Sequence, residues 1–225
     1  MLNWLLPEYI EDILPIEARH IELMRRQIID LLFVHGYQQV IPPLLEYIES
    51  LLSGSGGDMD LRIFKVIDQL SGRLMGLRAD MTPQAARIDA HLLNCDGITR
   101  LCYASSILHT IPFGITQTRE PLQIGAELYG HSGLESDLEI QQLMLQCLSV
   151  VGINQIHLDL GHVGVFRGLI KRGGISTELE TELFAVLQAK DIASLKELSS
   201  KLKKTTREAL LLLPELYGDK KVLVV

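Results

Sequence analysis

The sequence lacks the motifs of the common nucleotide-binding and hydrolytic folds. It contains no P-loop, no Rossmann glycine fingerprint, no GxSxG elbow and no HExxH motif. Its one glycine-rich run, Gly54–Gly57, is predicted to be a loop without the following helix that a phosphate cradle needs. The seven histidines form no metal-spaced cluster, and His157 and His162 are expected to make structural hydrogen bonds. The sequence therefore predicts neither a metal nor a cofactor.

Cysteine, long apolar runs and positive charge are also scarce. Three widely spaced cysteines, Cys95, Cys102 and Cys147, form neither a CxxC pair nor an even set, which indicates buried thiols in a reducing cytosol. No apolar run reaches the ~18 residues of a membrane span, and no signal-peptide pattern is present, so we expect a soluble cytoplasmic protein without a membrane partner. The net charge of −7 argues against broad electrostatic binding to nucleic acid.

What the sequence does contain is a long, apolar, globular chain. Its 225 residues are 47% hydrophobic, enough for one large domain or for one domain with a smaller one. Strand and helix patterns mix as far as residue 161, and four helical patterns follow before a final β-like run at Lys221–Val225. The sequence therefore predicts an α+β core over residues 1–161 and a helical segment over residues 162–225. Because the final run has no turn or cap, we expect the sequence to end inside a domain.

Periodicity and capping signals predict the individual elements. Pro15 and Gly36 bracket a predicted amphipathic helix over Ile16–His35. The other elements predicted for the core are strands at Gln38–Ile41, Ile63–Asp68, Leu74–Leu77, Leu101–Leu108, Leu122–Tyr129 and Ile156–Leu160, an extended-to-helical stretch at Leu44–Leu52, a flexible loop at Ser53–Asp60, and helices at Thr82–Asn94 and Ser136–Val150. The helices predicted for the segment are Val163–Arg172, Thr177–Ala189, Ile192–Lys203 and Thr206–Leu213.

Two of these helices carry explicit start signals. Thr82 followed by Pro83 predicts an N-cap and a first helical proline, with Ala85, Ile88 and Leu92 as the buried stripe. The helix after the last hairpin has a predicted capping box, which pairs Ser136 with Glu139.

The stretch Arg100–Gly130 contains the main candidate for a site. Its second strand presents Gln123, Gly125 and Glu127 on one face, since alternate residues of a strand point to opposite faces. A polar pair that flanks a glycine, above an apolar opposite face, fits either the floor of a polar pocket or a solvated outer face.

Two further polar residues, Asp80 and Thr82, lie at the start of the predicted helix. Together with Gln123 and Glu127 they offer carboxylates for an ammonium group and amide or hydroxyl groups for the rest of a small zwitterion. The alternative is local: Asp80 caps the helix and Glu127 pairs with a surface lysine. Three arginines near these positions are expected at the surface, namely Arg87, Arg100 and Arg119.

Several motifs resemble the catalytic core of histidyl-tRNA synthetases and their paralogues, in the family's order. These motifs are VIPPLLEY (Val40–Tyr47), GLRADMT (Gly76–Thr82), RLCYASSIL (Arg100–Leu108), REPLQIGAELYG (Arg119–Gly130) and LDLGHVGVF (Leu158–Phe166). The first resembles motif 1 of class II synthetases, the dimerisation motif, and Arg100–Gly130 resembles motif 2. The resemblance covers about residues 5–170 and implies a class II synthetase-like antiparallel sheet flanked by helices, in a chain that stops before motif 3.

The resemblance also implies which half of a synthetase site is retained. The synthetase holds histidine with residues that match Asp80, Thr82, Gln123 and Glu127, with Asp80 in place of a glutamate. The arginine and glutamate that hold ATP in motif 2 are replaced by His109 and Ile111. Isoleucine accepts no hydrogen bond, and histidine is a weaker phosphate ligand than a bidentate arginine, so adenylation is expected to fail.

An intact amino-acid half beside a broken ATP half resembles the family of ATP phosphoribosyltransferase regulatory subunits, which charge no tRNA. That resemblance implies a non-catalytic, allosteric subunit of a hetero-octamer with a short-form catalytic subunit, in the first step of histidine biosynthesis. It also implies L-histidine as the effector, self-association through the motif 1-like interface, and no nucleic-acid partner. Two alternatives stay open: a histidyl-tRNA synthetase that uses ATP, and a stand-alone histidine sensor.

Overall fold

The structure, a computed structural model, describes residues 4–52, 57–112 and 117–218. Contacts divide the chain into two compact units, residues 1–156 and 157–225. The boundary that we predicted between two domains, after residue 161, stays a prediction. Each unit is described by itself below.

The first unit is built from two three-stranded sheets and the helices beside them. Its strands are β1 (Gln38–Gln39), β2 (Leu45–Tyr47), β3 (Phe64–Ile67), β4 (Leu74–Leu77), β5 (Thr99–Ser106) and β6 (Leu122–Tyr129). Its helices are α1 (Pro15–Val34), α2 (Ile48–Leu52), α3 (Gly57–Arg62), α4 (Thr82–Ile88), which continues as a π-helical turn over Asp89–Leu93, and α5 (Leu134–Val150).

The first sheet has the order β1-β5-β6 and carries the candidate site. β5 and β6 form the predicted antiparallel hairpin, while β1 joins β5 in parallel. The predicted sheet with flanking helices is therefore confirmed, with one parallel pair added. Helices α1 and α5 pack against one face of this sheet, over a buried cluster formed by Ile29, Leu32, Tyr37, Cys102 and Leu143.

The second sheet has the order β2-β4-β3 and is antiparallel throughout. Its β3–β4 hairpin and the change from β2 to α2 were both predicted. A small core of Ile48, Leu51, Ile63 and Ala79 lies beneath it. Because Ala79 is the second residue after β4, this core anchors the chain just before it enters α4.

The predicted N-cap at Thr82 is wrong: α4 begins with Thr82 itself, Met81 is the N-cap, and Pro83 is the second helical residue. The Thr82 hydroxyl bonds to Tyr103 instead of capping the helix.

The buried face of α4 also differs from the predicted stripe. Ala85 is fully buried, whereas Leu92 is 68% exposed and Gln84 is buried instead. The π-helical turn explains the exposure of Leu92, since it adds a residue to the turn and rotates the later side chains away from the original face. Gln84 precedes this turn and is buried where its amide donates to the Pro43 carbonyl and to Glu46.

The predicted capping box at the start of α5 is wrong. The helix begins at Leu134, and the Ser136 hydroxyl bonds to the His131 ring. Glu139 instead accepts hydrogen bonds from Arg100, at 2.7 and 2.8 Å, and from Tyr37. A charged partner on the neighbouring strand thus replaces the weaker local cap.

Two other local predictions fail. Ile156–Leu160 forms no strand, since it takes part in none of the strand pairs of the described residues. The predicted loop at Ser53–Asp60 is wrong over residues 57–60, which belong to α3, a six-residue helix with Arg62 in its last turn. Residues 53–56 and the β-like run Lys221–Val225 lie outside the described residues.

The second unit is helical in its described part, as predicted. Its helices are α6 (Val163–Gly173), α7 (Thr177–Gln188), α8 (Ile192–Leu198) and α9 (Lys204–Leu212), with short 3₁₀ turns at Ser199–Lys201 and Leu213–Glu215. They enclose a core of Phe166, Ile170, Leu183, Leu195 and Leu210. Side-chain caps start three of these helices: His162, Ser176 and Asp191 accept from backbone N–H groups. The predicted structural role of His162 is confirmed.

None of the helices in the described ranges of either unit has the length and apolar character that crossing a membrane requires.

Candidate functional site

The four predicted site residues, Asp80, Thr82, Gln123 and Glu127, lie together on the face of β6 opposite α1 and α5. Gln123 links the strand to the loop before α4: its Nε2 donates to Asp80 Oδ1 at 2.7 Å, and its Oε1 accepts from the Met81 N–H at 2.9 Å. The loop Arg78–Thr82, named the site loop below, is thereby held across the strand.

A buried tyrosine joins the other two residues. The Tyr103 hydroxyl donates to Glu127 Oε1 at 3.0 Å and lies 3.0 Å from Thr82 Oγ1. Because the single tyrosine hydrogen is used toward Glu127, the Thr82 hydroxyl donates to Tyr103. The result is a directed chain from Thr82 through Tyr103 to Glu127. Tyr103 is 2% exposed, and its burial raises the pKa of the hydroxyl above its usual range.

Sequence reasoning missed Tyr103, although the hairpin register places it opposite Gly125. A Cβ at Gly125 would overlap the Tyr103 ring, so the gap predicted at this glycine is filled by the aromatic side chain. An aromatic residue opposite a glycine in an antiparallel pair is the signal that could have identified it. The pairing needs the strand register, which the sequence alone did not provide.

The polar face of β6 is not a solvated outer face. Gln123 and Glu127 are half-buried, and each makes a side-chain hydrogen bond within the site. Among residues that the structure describes, no lysine or arginine pairs with Glu127 or Asp80. Two carboxylates without a cationic partner, beside an amide and a hydroxyl, suit a ligand with an ammonium group. The alternative pairing of Glu127 with a surface lysine is thus not formed by any lysine in the described ranges.

The local role considered for Asp80 is present as well. Its Oδ1 accepts the backbone N–H of Thr82 at 3.0 Å, at the first residue of α4. Asp80 thus serves the helix start and the polar cluster together, and the two interpretations do not compete.

The segment that follows β5, the first hairpin strand, faces inward at His109. The imidazole is 7% exposed, and its Nε2 lies 2.9 Å from the Ala79 carbonyl oxygen. Ile111 is 66% exposed. Arg119 is half-buried, its guanidinium 4.7 Å above the Phe64 ring and its Nε 3.3 Å from the His109 carbonyl.

Three arginines therefore hold the unit together where surface positions were expected. Besides Arg119, Arg100 pairs with Glu139, and Arg87 donates to the buried Glu46 at 2.5 Å. A fourth, Arg78, is 3% exposed and was not singled out from the sequence. Each of these arginines contacts a segment that is distant in the chain. The prediction of surface positions used only neighbouring residues and could not include such contacts.

Within residues 4–52, 57–112 and 117–218, no three His, Cys, Asp or Glu side chains are grouped as ligands of a metal ion. The polar cluster offers hydrogen-bonding groups for an organic ligand.

The family model described as histidyl-tRNA synthetase matches residues 9–224. The chain belongs to the histidyl-tRNA synthetase family. This membership confirms the resemblance drawn from motifs 1 and 2.

Relatives within the histidyl-tRNA synthetase family carry a more specific name. Proteins from Nitrosomonas eutropha and Nitrosomonas europaea, 70% and 69% identical over the whole chain, are both named ATP phosphoribosyltransferase regulatory subunit. The chain spans only 58% and 59% of their respective lengths.

Solved structures of the histidyl-tRNA synthetase family share this fold. An ATP phosphoribosyltransferase regulatory subunit/histidyl-tRNA synthetase from Bacillus halodurans aligns with the whole chain and 58% of its own, with a TM-score of 0.85 and 26% identity. A histidine–tRNA ligase subunit from Alicyclobacillus acidocaldarius aligns over 87% of this chain and 56% of its own, with a TM-score of 0.66. At 21% identity, the second match supports the fold alone. The predicted class II synthetase-like fold is confirmed.

Proposed function

We propose that this chain belongs to a regulatory subunit of ATP phosphoribosyltransferase, a protein without chemistry of its own that supports a short-form catalytic subunit. The observation that carries the proposal is the 69–70% identity, over the whole chain, to the two Nitrosomonas proteins of that name. The role is activation of the catalytic subunit in the first step of histidine biosynthesis, together with feedback inhibition by histidine.

The effector site in this proposal is the polar cluster on β6. Asp80 and Glu127 supply negative charge for the ligand's ammonium group, while Thr82 and Gln123 supply a hydroxyl and an amide for its other polar atoms. The absence of a lysine or arginine partner for either carboxylate, within the described residues, supports this assignment. L-histidine is the ligand that the family membership favours.

The proposal includes the loss of amino-acid activation. Where the family resemblance expects a phosphate-binding arginine, the chain has His109, which is buried and directed at a backbone carbonyl. The expected glutamate is replaced by the apolar Ile111. Without a bidentate cation at the α-phosphate, the transition state for adenylation loses several kcal/mol of stabilisation.

The quaternary part of the proposal rests on the family resemblance. The regulatory subunit self-associates through the motif 1-like segment Val40–Tyr47 and joins the catalytic subunit in a cytoplasmic hetero-octamer. Residues 1–161 form the synthetase-like core of the subunit, and residues 162–225 form its helical segment.

Reconstitution tests this function. The full-length protein is mixed with a short-form catalytic subunit, and phosphoribosyl-ATP formation is followed with and without histidine. We expect activity to appear on mixing and to fall as histidine is added. A catalytic subunit that is equally active alone would contradict the proposal, and so would failure of the two proteins to associate. The second result favours a stand-alone histidine sensor.

The second candidate is a histidyl-tRNA synthetase, which the description of the matching family model favours. It predicts histidine-dependent exchange between ATP and pyrophosphate by the full-length protein. We expect no such exchange, because His109 and Ile111 replace the nucleotide-binding pair. If added histidine raised the ATP–pyrophosphate exchange above the background rate measured without histidine, the protein would be a synthetase instead.

A further inference from the structure

The site loop is tied to the end of the first hairpin strand at three successive points. The Arg78 guanidinium donates to the Ser106 carbonyl from Nε at 3.0 Å and from Nη2 at 2.9 Å. The Leu108 N–H donates to the Arg78 carbonyl at 3.0 Å. His109 Nε2 then lies 2.9 Å from the carbonyl oxygen of Ala79.

The third tie acts directly beside a site residue. A carbonyl oxygen can only accept, so the hydrogen of this bond is on His109 Nε2. The Ala79 carbonyl belongs to the peptide that leads into Asp80, and the imidazole therefore fixes the orientation of that peptide. Asp80 in turn lies 2.7 Å from Gln123 Nε2, a distance that depends on where the loop backbone is held.

The strand end is itself held on its other side. The His109 N–H donates to the Arg119 carbonyl at 2.8 Å, and Thr110 bonds to Arg62 and Leu61 through its N–H and its hydroxyl. The imidazole thus projects from a segment that is hydrogen-bonded to Arg119, shortly before β6, and to the end of α3. A fixed donor on a fixed segment can transmit its position to the loop that it contacts.

We propose that His109 is a positioning residue for the polar cluster: its Nε2–H bond to the Ala79 carbonyl holds the site loop so that Asp80 and Thr82 meet the ligand correctly. The part of this inference that concerns a ligand rests on the proposed function. The part that concerns the loop stands on the geometry alone. The position after β5 that carries a nucleotide-binding arginine in synthetases would, in this chain, orient the loop of the amino-acid site through a hydrogen bond to the Ala79 carbonyl.

Three variants test the role. His109→Gln keeps an N–H donor on a side chain of similar reach, and His109→Leu keeps volume but removes the donor. Tyr37→Phe is the matched control, because Tyr37 is 1% exposed and its hydroxyl makes a side-chain hydrogen bond, to Glu139, on the opposite face of the sheet.

The first readout needs no ligand. Hydrogen–deuterium exchange is measured at the amides of Met81 and Thr82, which donate to Gln123 and Asp80. We expect exchange about tenfold faster in His109→Leu, as for loss of one buried hydrogen bond, and within about threefold of the natural protein in His109→Gln and Tyr37→Phe.

The second readout is histidine affinity, measured by calorimetry on the full-length protein. We expect His109→Leu to bind about tenfold more weakly, with rescue by His109→Gln and no change in Tyr37→Phe. Natural loop exchange in a folded His109→Leu variant would overturn the inference, whatever the histidine affinity, and would leave only a general contribution to stability. If His109→Leu does not fold, the test uses His109→Gln alone. Faster exchange of the Met81 and Thr82 amides in that variant would overturn the inference, and exchange at the rate of the natural protein would support it.

The two readouts separate this inference from the proposed function. If the natural full-length protein binds no histidine while exchange responds as expected, the effector proposal fails and the positioning role stands. If histidine binds and exchange does not respond, the positioning role fails.

Discussion

The two faces of β6 carry different chemistry although their residues alternate along one strand. On one face Gln123 and Glu127 take part in a hydrogen-bonded cluster around Tyr103. On the other face Ile124 and Ala126 pack beneath α1 and α5 and line an apolar cavity of about 380 Å³. The strand therefore separates the groups available to a ligand from the groups that stabilise the fold, and substitutions on the two faces should have separable effects.

The largest expected effect is on the apolar face. Leu143 on α5 is 3% exposed and packs against β6, so Leu143→Ala should lower the free energy of unfolding by about 2–5 kcal/mol. Denaturant unfolding measures this loss, and calorimetry should show unchanged histidine affinity for the folded variant. The control is Leu138→Ala on the same helix, where the side chain is 46% exposed and the loss should be much smaller. Comparable losses in the two variants would contradict the assignment of this core.

On the polar face, Glu127→Ala should weaken histidine binding by on the order of 1.5–3 kcal/mol, because the ammonium group loses a charged hydrogen-bond partner. Isothermal calorimetry of the full-length protein measures this change. Glu120→Ala, at an exposed position of the same hairpin, is the control and should bind normally. Unchanged affinity in Glu127→Ala would mean that the regulatory histidine binds elsewhere, for example at the interface with the catalytic subunit.

Gly125→Ala tests the boundary between the two faces. The added Cβ would overlap the buried Tyr103 ring, and overpacking of this kind costs about 1–3 kcal/mol of stability. We expect a lower melting temperature together with weaker histidine binding, since the tyrosine hydroxyl must move away from Glu127. Gly161→Ala adds the same atom where nothing lies within 4 Å and should change neither property. If Gly125→Ala kept the stability and the histidine affinity of the natural protein, the Tyr103 ring would have to move without cost, which would contradict this prediction.

The smallest effect concerns pH and the pair that joins α5 to β5. Hydrogen bonds from Arg100 lower the pKa of Glu139 from 4.5 to about 2. In the unfolded chain this carboxylate takes up a proton near pH 4.5, whereas in the folded protein it stays charged until about pH 2. The stability from the pair is therefore complete above the unfolded pKa and is lost as the pH falls from about 4.5 to about 2.

Glu139→Gln should remove that part of the acid sensitivity and cost about 1 kcal/mol at pH 7, because the pair is partly exposed to solvent. Urea unfolding at pH 7, 5 and 3 measures both effects, and the difference from the natural protein should shrink toward pH 3. Glu120→Gln controls for the loss of one negative charge. A difference that does not depend on pH would argue that Glu139 contributes through packing.

Where the sequence predicted structure well, the signal was local. The α1 bounds follow from Pro15 and Gly36, and the four helices of the second unit follow from helical patterns separated by short turns. The hairpin of β5 and β6 followed from two apolar alternating runs. These signals involve residues within a few positions of one another, so no knowledge of the fold is needed to use them.

The predictions that failed concern residues whose partners are distant in the chain. Glu139 has the spacing of a capping box but pairs with Arg100, 39 residues away, and Ile156–Leu160 alternates like a strand but forms none. Arg78 makes its contacts with Ser106 and Pro42, which are 28 and 36 residues distant in the chain. None of these partners can be found from local spacing.

The sequence by itself determined the hairpin and the polar residues Gln123 and Glu127 on one of its faces, because these are properties of residue type and of period-2 alternation. Only the tertiary structure decided that Tyr103 lies over Gly125, that Asp80 reaches Gln123, and that His109 turns inward to the site loop. The physical reason is that a hydrogen bond of about 3 Å between distant segments depends on strand register and packing, which the whole chain sets together.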